Sequence, residues 1–288
     1  MKAQGGLTIE RMVELGRVSR SGFYRFEEAE AGPDPVMELR DAIQKIAVER
    51  PSYGRPRITK ELRRLDWVVN PKRVHRIMRE DNLLCVRKRK LVVTTDSNHG
   101  RRIYPNLERN MIVTGTDQLW VADITYIRLR DEFVFLAVLL DAHSRRVVGW
   151  ALDRTLEDEL TLSALRMALS QRQVRRGLVH HSDRGTQYAS ADYTKLLTDC
   201  GITISMSRKG NPWDNAACES FMKTLKDEEV YRNEYRDLAE ARASIQEFLE
   251  KIYNRKRLHS ALGYLPPAEF EANLAKKNKD AAARQFSV

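Results

Sequence analysis

The stretch QLWVADITYIRL, residues 118–129, is rich in β-branched and aromatic residues, a composition that predicts a β-strand. Asp123 interrupts this pattern, because it lies in the middle of the strand between Ala122 and Ile124. An ionised carboxylate at such a position loses hydration and needs a compensating partner. A cation, several hydrogen-bond donors or a metal ion could serve, so this strand is a candidate for carrying a functional site.

The sequence after this strand alternates between strand and helix patterns. Residues 132–152 predict two strands joined by the turn DAHSR. The next segments predict a helix, a strand, a helix, a strand and a long helix, in the order 158–172, 178–183, 190–201, 202–207 and 211–231. The resulting order, βββ-α-β-α-β-α, predicts an α/β fold with a mixed sheet covered by helices.

A second carboxylate, Asp183, ends the strand LVHHSD, and Gly185 allows the chain to turn sharply after it. In open α/β sheets, ligand sites gather at the carboxyl ends of strands. An aspartate at a strand end can also simply form a turn. Asp117 precedes the first strand and Asp141 lies at a hairpin turn, so we interpret both as structural.

A third carboxylate, Glu219, lies in the last long helix. The apolar stripe that must face the sheet consists of Cys218, Phe221, Met222 and Leu225. Glu219 lies roughly 95–100° from the centre of that stripe, on the same flank as Asn215 and Lys226. If Asp123, Asp183 and Glu219 converge, their oxygens suit Mg²⁺ or Mn²⁺, and two such ions support phosphoryl transfer. Without metal the three anions would repel one another.

The charge of the chain is unevenly distributed. The net charge is +10, and residues 1–115 carry 24 basic against 15 acidic residues, whereas residues 116–288 carry 26 against 25. This excess is compatible with ordinary solubility, but it also predicts an N-terminal module that binds a polyanion. The three cysteines are sparse, and neither a signal peptide nor a membrane-spanning run is recognisable, so we expect a cytoplasmic protein without a membrane partner.

Five segments are predicted along the chain: a short helical hairpin (1–31), a helix-turn-helix-like DNA-binding unit (36–80), a basic linker (81–115), a catalytic core (116–232) and a C-terminal helical extension (233–288). The three-helix unit presents cations on its polar faces, which we expect to contact DNA, although a merely solvated face is the alternative. These cations are Arg55, Arg57, Lys60, Arg73 and Arg76. In the linker, four consecutive cations could lie along phosphates: Arg87, Lys88, Arg89 and Lys90.

Three blocks of the sequence resemble the core of DDE transposases and integrases. They are WVADITYI (120–127), HHSDRGTQY (180–188) and NPWDNAACESFMKTLK (211–226), with 35 residues between Asp183 and Glu219. The C-terminal stretch YNRKRLHSALGYLPPAEF (253–270) resembles the signature of OrfB-type transposases of the insertion-sequence-three group. The resemblance extends over nearly the whole chain.

This resemblance implies an RNase H-like core in which Asp123, Asp183 and Glu219 bind two Mg²⁺ ions, with Mn²⁺ as a substitute. The implied activity is cleavage of a DNA strand by water, followed by attack of the freed 3′-hydroxyl on another phosphodiester. Lys226, Asn215 and Arg184 are then expected to contact DNA, while His181, Ser182, Gln187 and Tyr188 are expected to hold the loop or contact DNA.

The partners implied by the resemblance are transposon ends, target DNA and further copies of the chain assembled on DNA. Members of the group usually act as a frameshift fusion to an upstream helix-turn-helix and leucine zipper, so an upstream-frame protein is a further expected partner. Two alternatives remain at this level: a non-catalytic DNA-binding regulator made from the downstream frame alone, and a ribonuclease H-type nuclease. The intact carboxylates disfavour the regulator, and the basic helical unit disfavours the nuclease.

Overall fold

The computed structural model describes residues 9–24, 35–84, 101–208 and 215–285. The chain forms two compact units, Met1–Arg87 and Lys88–Val288. The predicted cations 87–90 and residues 211–214 of the helix predicted at 211–231 lie outside the described residues. No helix in the described ranges combines the length and apolar character needed to cross a membrane.

The N-terminal unit is helical, as predicted. Helix α1 (Ile9–Gly16) is followed by a helical segment from residue 20, whose start is capped by Ser19 through a 3.1 Å bond from the Gly22 N–H. Helices α2 (Pro35–Glu49), α3 (Arg55–Arg64) and α4 (Pro71–Glu80) then surround a small core. Asn70 caps α4 by accepting a 2.8 Å bond from the Lys72 N–H. The side chains of this core that are fully buried are Ile43, Ile58, Leu62, Val74, Ile77 and Met78.

The second unit is built on a five-stranded sheet with the order β3-β2-β1-β4-β5. Its strands are β1 (Leu119–Arg128), β2 (Phe133–Asp141), β3 (Val147–Asp153), β4 (Val179–Ser182) and β5 (Thr203–Met206). The first three strands are antiparallel, whereas β4 runs parallel to both β1 and β5. With α5 (Asp158–Gln171), α6 (Ala191–Asp199) and α7 (Ala216–Glu228) in between, the predicted order βββ-α-β-α-β-α is confirmed.

One face of the sheet, here called the closed face, is covered by α5 and α6. Its core includes Trp120, Ala122, Leu139 and Tyr193, all fully buried. Gly149 of β3 allows α5 to approach closely, because a Cβ there would lie 2.2 Å from the carbonyl oxygen of Ala164. The helix and the strand therefore meet backbone to backbone.

The opposite face, here called the site face, is covered by α7, by α8 (Leu238–Gln246) and by a π-helical segment (Glu247–Tyr253). A further helix, α9 (Pro267–Gln285), follows later in the chain. The predicted stripe of α7 is confirmed, since its four residues are the buried ones of that helix. Tyr235, Phe248 and Tyr253 join the same hydrophobic cluster as β1 and α7, so residues after 232 complete the core.

Residues 101–115, which belong to the predicted linker, also pack on the sheet unit. Tyr104, Met111 and Val113 lie against its hydrophobic clusters, and the Leu107 N–H donates a 2.9 Å bond to the Ser205 hydroxyl. Short 3-10 helices occur at Glu108–Asn110, Val230–Arg232 and Ser260–Leu262. The two aspartates interpreted as structural are confirmed in that role: Asp141 accepts bonds from the N–H groups of Asp117, His143 and Ser144, and Asp117 from the Trp120 indole.

Candidate active site

The parallel pairing of β1 with β4 brings the first two carboxylates together. Leu119 pairs with Val179 and Val121 with His181, and continuing this register places Asp183 beside Asp123. Because side chains alternate along a strand, Asp123 shares the site face with Val121 and Ile127. Aspartates distant in the sequence thus become neighbours at the end of β4.

Backbone hydrogen bonds orient both aspartates. The Ile124 N–H donates a 2.9 Å bond to Asp123 Oδ1, and the Gly185 N–H donates a 2.9 Å bond to Asp183 Oδ1. A Cβ at Gly185 would lie 3.0 Å from that same Asp183 oxygen, so a larger residue would crowd the carboxylate. Glycine therefore leaves room for the carboxylate at this turn.

Glu219 reaches the same region from the first turn of α7. The start of this helix is tied to β1, because the Asn215 side-chain amide donates a 3.1 Å bond to the carbonyl of Ala122. Asn215 is buried, so its placement favours a positioning role over the expected DNA contact, which stays a prediction. Fixing the helix next to Ala122 also fixes Glu219 relative to Asp123.

The electrostatics show that Asp123 senses the charges of the other two carboxylates. Burial first, and then the nearby charges of Asp183 and Glu219, raise the pKa of Asp123 to about 7. Loss of hydration also raises the pKa of Glu219. This cluster of like charges matches the repulsion expected for converging carboxylates in the absence of a cation.

Among the described residues, Lys226 is a cation that lies near the carboxylates. It follows Glu219 by two turns of α7, and its Nζ lies 5.1 Å from the centre of the Tyr126 ring. Burial lowers the pKa of Lys226, while the charge of Asp123 opposes that shift. Lys226 therefore offsets part of the negative charge around Asp123.

The donor set fits a hard divalent cation. Carboxylate oxygens are the ligands preferred by Mg²⁺ and Mn²⁺, and a cation would relieve the repulsion that raises the pKa of Asp123. Within the described ranges, no three His, Cys, Asp or Glu side chains already form a compact metal-ligand cluster. The carboxylates approach from three separate elements, and their role as metal ligands stays a prediction.

Other residues of the HHSDRGTQY block support the loop rather than face solvent. His181 is fully buried, with Nδ1 2.8 Å from the Ser205 hydroxyl and Nε2 2.9 Å from that of Ser207. Ser182 and Tyr188 are also buried. The Arg184 Nε donates a 2.7 Å bond to the carbonyl of Ser207, which ties the loop to the end of β5. The DNA contact expected of Arg184 stays a prediction.

In the N-terminal unit, the predicted cations lie on the surface. Arg55, Lys60, Arg73 and Arg76 are exposed, and Arg57 is half-buried with its guanidinium 5.5 Å from the centre of the Tyr53 ring. Their contacts with DNA stay a prediction.

An important residue that was not singled out in the sequence is Arg257. It is buried and donates two hydrogen bonds to the carboxylate of Glu228, at 2.9 and 2.7 Å, and one to the Thr224 hydroxyl at 3.3 Å. These bonds attach the C-terminal signature to α7, the helix that carries Glu219. The signal was present in YNRKRLHSALGYLPPAEF, but the sequence does not show which of its cations is buried.

Comparison with known proteins agrees with this architecture. Residues 114–212 and 200–267 match two models described as integrase core domain, and residues 36–90 match an HTH-like domain. The chain is 38% identical to the insertion element IS600 uncharacterized 31 kDa protein of Shigella sonnei, over 90% of this chain and 97% of that protein. It is 35% identical to the transposase InsF for insertion sequence IS3A of Escherichia coli, over 95% of this chain and 98% of that protein.

Similar solved structures include a simian T-cell lymphotropic virus intasome in complex with a PP2A regulatory subunit. It is 14% identical, with a TM-score of 0.47 and coverage of 80% of this chain and 74% of that one. The catalytic core domain of BIV integrase is 19% identical, with a TM-score of 0.42. The match covers 57% of this chain and 99% of that one.

The sheet order and the matching core models identify the fold as RNase H-like with an N-terminal helix-turn-helix-like region, as predicted. The relatives share more than a third of their residues with this chain over nearly its whole length. The chain therefore belongs to the integrase-core transposases of the insertion-sequence-three family.

Proposed function

We propose that this protein catalyses metal-dependent DNA strand cleavage and strand transfer in the transposition of an insertion sequence. The proposal is supported by the register that brings Asp183 beside Asp123, and by the pKa of Asp123, which burial and then the charges of Asp183 and Glu219 raise to about 7. Such a site suits phosphoryl transfer because it can hold hard cations at a DNA phosphate.

In this proposal, Asp123, Asp183 and Glu219 hold two Mg²⁺ ions, or Mn²⁺ in their place. When bound, the metal activates the attacking oxygen and stabilises the leaving one. In cleavage, a water oxygen forms a bond to phosphorus while the bond to the 3′-oxygen breaks, which leaves a 3′-hydroxyl and a 5′-phosphate. In transfer, that 3′-hydroxyl attacks a second phosphodiester and displaces its 3′-oxygen. Asn215, Gly185 and Arg257 act indirectly, by fixing the elements that carry the carboxylates.

DNA binding is assigned to the helix-turn-helix-like unit and to the cations at 87–90. Exposed basic side chains neutralise phosphates and supply affinity that falls as salt rises. The proposal includes assembly of several copies on transposon ends and target DNA, and a contribution from an upstream-frame protein with a leucine zipper. It places the protein in the bacterial cytoplasm, where the DNA is.

A strand-transfer assay with the terminal repeats of the element tests the proposal. With Mg²⁺, the wild type should cleave labelled end DNA and join it to a target. Asp183→Asn should reduce cleavage on the order of a thousandfold or more, because several kcal/mol of transition-state stabilisation depend on the metal. DNA binding, measured by fluorescence anisotropy, should be retained.

Asp199→Asn is the matched control, because Asp199 is an exposed aspartate at the end of α6 and away from the site. It should cleave like the wild type. Binding without cleavage by the wild type would instead assign the chain as a regulator, and degradation of RNA–DNA hybrids without joining would assign it as a nuclease. Full cleavage by Asp183→Asn would remove that residue from the site.

A further inference from the structure

Residues 101–113, here called the strap, pass around the edge of the sheet at β5. Tyr104 packs against the hydrophobic cluster of the closed face, whereas Met111 packs against that of the site face. Between these two points, the Pro105 carbonyl accepts a 3.4 Å bond from the Met206 N–H at the end of β5. The strap therefore runs from one face of the sheet to the other, close to the strand ends where the carboxylates lie.

The strap begins with a contact to the loop that follows Asp183. The Arg101 guanidinium donates a 2.8 Å bond to the Thr186 carbonyl. The same group lies 3.6 Å from a carboxylate oxygen of Asp158, in the first turn of α5. Arg101 thus bridges the loop and the start of α5. Because its acceptor on the loop is a main-chain carbonyl, this contact depends on the side chain at 101 and not on that at 186.

Further bonds fix the same loop on both of its sides. The Gln187 side-chain amide donates a 2.9 Å bond to the Leu156 carbonyl, two residues before α5 begins. On the opposite side, Arg184 is bonded to the Ser207 carbonyl beyond β5. Arg101 and Gln187 therefore form two neighbouring anchors to the start of α5, and they oppose the anchor at β5.

The loop in turn orients the carboxylate of Asp183. The Gly185 N–H donates to Asp183 Oδ1 at 2.9 Å, and Gly185 directly precedes Thr186. A displacement of the Thr186 peptide would therefore move the donor that holds the carboxylate. Outer contacts that orient a metal-ligating carboxylate typically change the metal affinity by about 10–100-fold when they are removed.

Building on the proposed function, we propose that Arg101 is a positioning residue of the carboxylate site. It anchors the loop to the start of α5 and so holds Asp183 beside Asp123 in the arrangement that a divalent cation needs. In this role Arg101 contacts neither the cation nor the DNA. The strap is then a working part of the site, in addition to covering the edge of the sheet.

Binding of Mn²⁺ to the full chain, followed by the electron paramagnetic resonance signal of free Mn²⁺, tests the proposal. Arg101→Met should weaken Mn²⁺ binding about tenfold. Arg101→Lys keeps a charged donor and should recover part of that loss. Arg102→Met is the matched control, because the Arg102 guanidinium lies 5.0 Å from the centre of the Tyr104 ring, within the strap itself. It should bind Mn²⁺ like the wild type.

Hydrogen exchange in the metal-free protein measures the loop directly. Residues 183–188 should exchange faster in Arg101→Met than in the wild type or Arg102→Met, and faster still in Arg101→Met/Gln187→Leu, which removes both anchors to α5. The urea midpoint of Arg101→Met should match that of the wild type, because the pair with Asp158 is exposed.

Cleavage of labelled DNA provides a second readout. Arg101→Met should need about ten times more metal for half-maximal cleavage, yet reach the wild-type rate at saturating metal. A general loss of stability would not produce this separation between metal requirement and rate.

Unchanged exchange at 183–188 together with unchanged Mn²⁺ affinity in Arg101→Met would overturn the inference. A lower urea midpoint with wild-type Mn²⁺ affinity would assign the strap to stability alone and would also overturn it. If the wild type binds Mn²⁺ but never cleaves or joins DNA, while Arg101→Met shows faster exchange and weaker Mn²⁺ binding, the proposed function fails and the positioning role stands.

Discussion

The two faces of the central sheet differ in how they treat polar groups. On the closed face, His180 is fully buried, with Nε2 2.8 Å from the Tyr193 hydroxyl, and burial lowers the pKa of His180 to about 3. On the site face, Asp123 lies beside two further carboxylates, and burial together with their charges raises its pKa to about 7. The same strand pair thus buries a neutral, structural group on one side and collects like charges on the other.

This difference shows how the fold tolerates an electrostatically unfavourable site. The closed face is densely packed apolar structure, which holds β1 and β4 in register while their opposite sides carry carboxylates. A buried ion pair between Arg257 and Glu228 holds the helix above them. Changes on the closed face should therefore disturb the fold, whereas changes at the carboxylates should disturb chemistry.

The largest effect is expected from Gly149→Ala on the closed face. The new Cβ would lie 2.2 Å from the Ala164 carbonyl oxygen and 2.9 Å from the Ala168 nitrogen, so α5 would have to move away from β3. We expect a loss of at least about 3 kcal/mol in the free energy of unfolding, measured by urea denaturation. Gly115→Ala is the control, because its Cβ would meet only a side chain, at 3.4 Å. Equal stability of the two variants would show that the close approach of α5 is not needed.

On the site face, Arg257→Met should cost about 3 kcal/mol in the free energy of unfolding, because it leaves the carboxylate of Glu228 buried without its partner. Cleavage should fall as well, since α7 loses the contact that fixes its position. The double variant Arg257→Met/Glu228→Met should recover much of the stability, because no unpaired charge remains.

Arg154→Met provides the comparison for Arg257. It breaks an exposed pair with Glu132 and should cost less than about 1 kcal/mol. A double variant as unstable as Arg257→Met alone would contradict the assigned role of the buried pair.

The smallest effect is a pH dependence that arises from His180. Because burial lowers the pKa of His180 in the folded protein, the unfolded chain binds more protons as pH falls below about 6.5. The contribution of His180 to stability should therefore be full above that pH and decrease by about 2 kcal/mol between pH 7 and pH 5, whereas the raised pKa of Asp123 acts in the opposite direction over the same range.

His180→Gln should lack this component of the pH dependence, while His143→Gln should keep it, because His143 is only half-buried. Urea denaturation of the three proteins at both pH values is the measurement. Parallel losses for the wild type and His180→Gln would assign the acid sensitivity to other groups.

Much of the architecture was predictable because it follows local periodicity. The strand predicted at 118–129 and the stripe on α7 each depend on neighbouring residues, and both appear as predicted. Asp123 was recognisable as a site residue because a carboxylate within an apolar strand needs a partner. The roles of Asn215 and Arg257 were not predictable, since their partners lie far away in the sequence, at Ala122 and Glu228.

The sequence by itself determined the order of strands and helices, the three acidic residues set apart by their surroundings, and the family to which the chain belongs. Only the tertiary structure decided that Asp183 lies beside Asp123 and that Asn215 is buried. The physical reason is that periodicity and propensity act between neighbouring residues. Burial and charge coupling arise only when distant segments pack, and here they depend on how far β4 extends along β1.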